Sequence, residues 1–184
     1  MERLNPRSRS DAYGRRINRD HSPLLGYIVP WLSILIAIVL PIFVMATPGP
    51  LMPPLGFLML VAWRLLRPGL FPVWAGFPLG LVDDLFSGQP FGSGILLWSL
   101  AMLAIEIIES RFPWRSFWQD WFAAVVLVIA YLLAAFLLSG APIGLPALIV
   151  LAPQLLLSVL AYPIIARMVA FLDRLRLMRV RTIG

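Results

Sequence analysis

Phe77-Pro-Leu-Gly-Leu-Val-Asp-Asp-Leu-Phe-Ser-Gly-Gln-Pro-Phe-Gly-Ser-Gly94 sets two adjacent carboxylates, Asp83 and Asp84, into a chain that is otherwise strongly apolar. An ionised aspartate at a bilayer centre costs about 2.5–3.5 kcal/mol on insertion scales, so such residues face protein or a watery cavity. On a helix, Gly76, Gly80 and Asp84 recur every fourth residue and form one stripe, with Asp83 on its flank. Glycines four apart let a neighbouring helix approach closely. The spacing therefore predicts a tight helix contact ending at the carboxylates. Ser87-Gly88-Gln89-Pro90 then predicts a turn.

Outward from this stretch, the chain is 60% hydrophobic and 13% charged over 184 residues, with a mean hydropathy of +0.88. That is the composition of a polytopic membrane protein. The basic residues are 15 arginines, and with nine acids the net charge is +6. In a soluble protein this balance would suggest nucleic acid. Here the arginines lie at the ends of apolar segments, where they set topology and anchor to lipid headgroups, so membrane lipid is the expected partner and nucleic acid is not. With no cysteine, the chain has no disulfide, thiol nucleophile or thiolate metal site. Its one histidine, His21, sits in a polar tail and cannot make a metal site alone.

Six apolar spans follow from the hydropathy pattern: 27–46, 51–66, 70–86, 91–108, 121–138 and 146–166. Residues 1–22 form an arginine-rich tail, 23–171 the membrane domain, and 167–184 a basic amphipathic tail suited to the membrane interface. Pro41 is expected to kink the first span, and Pro153 and Pro163 to break the sixth. The segment Arg111–Asp120, rich in tryptophan, is expected to be a loop along the membrane surface. Glu106 and Glu109 lie near Arg111, which predicts a surface ion cluster. All 15 arginines fall in the two tails, the second-to-third connection or the fourth-to-fifth connection. The positive-inside rule then places both termini in the cytoplasm and the aspartates toward the outer face. The fold class is an all-α, six-transmembrane-helix bundle.

An intramembrane protease dyad needs carboxylates converging from different helices, whereas adjacent residues point about 100° apart on one helix. Nor is there a Gly-rich phosphate loop, a Ser/His/Asp set or a metal cluster, so no enzymatic activity or cofactor is expected. Two readings of the aspartates stay open: they cap neighbouring backbone, or they contact a partner or ligand.

Gly80-Leu-Val-Asp-Asp84-Leu-Phe-Ser-Gly88-Gln-Pro-Phe-Gly92 resembles the most recognisable segment of the bacterial rod shape-determining protein MreD family. Asp84 matches the family aspartate and Gly80, Gly88 and Gly92 its frame, while Asp83 lies outside the common pattern. The resemblance implies a non-enzymatic inner-membrane scaffold of the cell-elongation (peptidoglycan synthesis) machinery. Its implied partners are an MreC-like protein, the MreB filament, a SEDS glycosyltransferase and a penicillin-binding transpeptidase. It also implies a fold similar to the substrate-binding subunits of energy-coupling-factor transporters. The competing function is a small-molecule-binding subunit of a membrane transporter, with a pocket near Asp83, Asp84 and Gln89. The residues assigned to a partner or helix contact are Gly76, Gly80, Asp83, Asp84, Gly88, Gln89, Pro90 and Gly92.

Overall fold

A computed structural model describes residues 23–44, 52–111, 116–142 and 144–177. The N-terminal tail, the Thr47–Pro50 connection and the last residues of the C-terminal tail lie outside the described residues. The described residues are helical, without strands, and form α1 (Pro23–Val44), α2 (Leu55–Leu66), α3 (Gly76–Phe86), α4 (Ser93–Arg111), α5 (Phe117–Leu138) and α6 (Leu145–Arg176). A single 3-10 turn, Val73–Ala75, leads into α3.

Four of these helices are long and apolar enough to cross a membrane, over Leu25–Phe43, Ser93–Arg111, Phe117–Leu138 and Leu151–Arg176. The other two are short. At 1.5 Å per residue, the 12 residues of α2 rise about 18 Å, well below a hydrocarbon core about 30 Å thick.

The short α2 is also the best enclosed. Each residue from Gly56 to Leu65 is buried. A helix that is apolar all round belongs inside a bundle, since no face of it needs water. Around it the other five make a ring in which α1 packs on α3, α3 on α4, α4 on α5, α5 on α6 and α6 on α1. Aromatic side chains lock the centre to the ring: Phe57 stacks on Tyr131 of α5 at 4.1 Å and meets Trp98 of α4 edge-on at 5.9 Å. Trp63 donates its indole N–H to Ser33 Oγ of α1 at 2.9 Å.

Several boundaries differ from the hydropathy reading. Phe117–Asp120, expected in a surface loop, is the first turn of α5, because Ser116 and Gln119 form a reciprocal capping box there. α6 runs without interruption through Pro153 and Pro163 and carries on to Arg176. Its last turns do not stand apart as a tail: Val169 and Asp173 are buried against the bundle.

Candidate functional site

The α3–α4 hairpin is built from glycine. A Cβ on Gly80 would stand 2.5 Å from the Gly94 carbonyl oxygen of α4, and one on Gly76 would stand 2.8 Å from the Trp98 carbonyl oxygen. Both obstacles are backbone, which cannot swing away, so the two helix axes come this close only without side chains at those positions. The turn between them has Gly88 at φ +68° and Gly92 at φ +95°, a region that costs other residues strain. Pro90 contributes its carbonyl, which accepts from Ser93 N–H at 3.0 Å and Ser93 Oγ at 2.7 Å.

Close approach brings Asp84 onto the start of α4. Its Oδ1 accepts from Gly94 N–H at 2.6 Å and from Ser93 Oγ at 3.4 Å. Its Oδ2 accepts from Gly92 N–H at 2.9 Å and Ile95 N–H at 3.1 Å. The first N–H groups of a helix have no partner within it and carry the positive end of its dipole, so a buried carboxylate is well matched to them. Asp84 is thus a cap supplied by a neighbouring helix.

Asp83 has a different setting. Its Oδ2 accepts long hydrogen bonds from Trp98 Nε1 at 3.3 Å and from the Tyr131 hydroxyl at 3.4 Å. Both donors are neutral. In the turn that follows α3, Gln89 Oε1 accepts from Ser93 Oγ at 3.4 Å. Asp83 therefore lies between α3, α4 and α5, above the first turn of the central α2.

At the far end of α4, about 18 Å along its axis, stands a second polar cluster. The Arg64 side chain, 1% exposed, donates from Nη2 to Glu106 Oε2 at 2.6 Å and lies 3.1 Å from Glu109 Oε2. Its Nη1 donates to the Phe71 carbonyl at 3.0 Å. The glutamates were expected to form a surface ion cluster near Arg111; the structure pairs both with Arg64, which α2 carries into the interior. Beside it, Arg67 and Arg176 both donate to Asp173, at 2.6–2.8 Å, and the Arg176 guanidinium lies 5.6 Å from the Trp63 ring centre. The Asp173 hydrogen bond raises the Arg67 guanidinium above its ordinary pKa, with partial burial opposing it. Sequence reasoning took Arg64 for a span-end marker. The available signal was its depth: three residues before Arg67, it falls inside the apolar helix and at the same end as the two glutamates.

Among the described residues, no group of three or more His, Cys, Asp or Glu side chains is placed to hold a metal ion. No curated protein and no solved structure matches the chain. The family model for the rod shape-determining protein MreD does match, over residues 22–174, a span that contains the buried centre and all of the helical ring but the last two residues of α6. The chain is therefore a multi-pass membrane protein that belongs to the MreD family.

Proposed function

We propose that the protein is a non-enzymatic scaffold of the bacterial cell-elongation complex in the inner membrane. It would sit beside an MreC-like partner, the MreB filament, a SEDS glycosyltransferase and a penicillin-binding transpeptidase. The observation that carries this reading is how Asp84 is used. Its two oxygens are occupied by the N-terminal N–H groups of α4 and by Ser93, so the most prominent acidic motif of the chain builds a helix junction. The same usage weighs against a transporter subunit that binds its ligand through Asp84.

Six crossings with both termini cytoplasmic form part of the proposal, as does the fold likeness to energy-coupling-factor subunits. The short α2 can complete a crossing because the ring encloses it, and non-helical backbone at membrane depth is tolerated where protein surrounds it. Reporter fusions at Gly184 and in the 111–120 region should both report cytoplasm, and fusions at Gly88 or Gly140 the opposite compartment. A Gly184 fusion reporting the outer side would overturn the topology. For the function itself, the full chain should restore rods to a strain lacking its own family member and copurify with elongation proteins from native membranes. Restored rods without any such association would sink the scaffold reading.

A further inference from the structure

Among the carboxylates described above, Asp83 stands apart from Asp84, Glu106, Glu109 and Asp173. Arg64 faces Glu106 and Glu109, Arg67 and Arg176 face Asp173, and Asp84 faces three backbone N–H groups and a hydroxyl. Asp83 receives two long bonds from neutral donors, both on Oδ2, and among the described residues no basic side chain forms an ion pair with it. Its Oδ1 is left for a further donor.

The surroundings narrow what that donor is. One free carboxylate oxygen is too few for Mg²⁺ or Ca²⁺, which take about six or more oxygen ligands. A single charge-assisted hydrogen bond is worth about tenfold to a hundredfold in affinity, too little to hold a free small amine at useful concentrations. It is sufficient for a cation delivered on a protein already docked nearby, where effective concentration does the rest. The same stretch also offers apolar area for such docking: Leu85 is 64%, Phe86 47% and Phe91 73% exposed.

We propose that the end of the bundle at Asp83 is a docking site for a second membrane protein, which places an arginine or lysine side chain against the free Asp83 oxygen between α3 and α5. This rests on the scaffold reading and names the chemistry of one of its contacts. α3 and α5 make no extended contact of their own, and the Asp83–Tyr131 hydrogen bond bridges them, so an incoming cation there would tighten the ring as it binds.

The test uses the full chain in native membranes with a photo-crosslinking residue in place of Phe91. The expected product joins the chain to one membrane protein through a peptide that carries a basic residue. Its yield, normalised to the amount of chain, should fall about tenfold in Asp83→Asn and Asp83→Arg and stay within about twofold in Asp83→Glu. Reversing the partner's basic residue to aspartate should restore the yield in the Asp83→Arg chain. An unchanged yield in Asp83→Asn, or no restoration by the reversed pair, overturns the proposal. Rod shape scored in the same cells separates the two failures. Normal rods with an unchanged crosslink in Asp83→Asn count against the docking site alone, whereas a wild-type chain that leaves cells round counts against the scaffold.

Discussion

The two ends of α4 are fastened by opposite means. At its start a carboxylate from α3 closes on backbone N–H groups, with glycines letting the helices meet. At its end a guanidinium from the central α2 reaches two glutamates and a carbonyl. The first junction joins helices adjacent in sequence, 10 residues from Asp84 to Gly94. The second joins residues 42 apart, Arg64 and Glu106. A local junction depends on shape, because backbone cannot move aside. A distant one depends on charge balance, because removing one partner strands the other in a poorly solvated place.

This contrast ranks the substitutions. Arg64→Ala should do most damage, since it removes the buried guanidinium that holds Glu106, Glu109 and the Phe71 carbonyl together and leaves a cavity in its place. Breaking a buried pair costs about 3–5 kcal/mol, and the variant should show little folded protein by size-exclusion in detergent. A folded Arg64→Ala with near-normal thermal stability would mean that the glutamates reach water and the ionic end is dispensable. Gly80→Ala comes next: its methyl meets backbone at 2.5 Å, and overpacking costs about 1–3 kcal/mol. Leu85→Ile, on an exposed residue of the same helix, serves as the control.

Asp84→Asn should follow, losing about 0.5–2 kcal/mol, the range for a helix cap, with lower membrane abundance as the readout. If abundance holds and only cell shape fails, Asp84 acts on a partner and the capping account is incomplete. The smallest effect on stability belongs to Asp83→Asn, within about 0.5 kcal/mol, because its hydrogen bonds are long and its donors neutral. Matched thermal unfolding of Asp83→Asn and Asp84→Asn would sharpen the comparison most directly, as equal losses would erase the distinction between adjacent carboxylates. Glu106→Gln is the corresponding mild change at the ionic end. Its side chain is 54% exposed, and the retained Glu109 keeps Arg64 paired.

How much of this was legible depended on distance along the chain. The Gly76–Gly80–Asp84 stripe and the glycine turn are local, and helical periodicity was enough to place them on one face. Hydropathy located six apolar segments, but it measured composition rather than helix length, so it overstated α2 and α3. Arg64 was misjudged for a related reason. A charged residue near the end of an apolar run looks like a boundary marker, and the acids that accept it lie two helices later. The extent of α6 was hidden too, since arginines after 166 suggest exit from the membrane, while Asp173 gives Arg176 a reason to stay packed and ties the helix to Arg67. What separates Asp83 from Asp84 also needed Tyr131, 48 residues away.

The enclosure of α2 has a consequence for how the protein is made. Among the described helices the central one is second in chain order, yet the ring around it closes only where α1 meets α6. Until α6 arrives, one flank of α2 must rest against lipid or against an insertion factor, and Arg64 waits for glutamates not yet synthesised. Closure of the ring therefore waits for α6. A chain cut short before Leu145 would leave the membrane holding an unfinished shell around an exposed core, a natural substrate for membrane quality control.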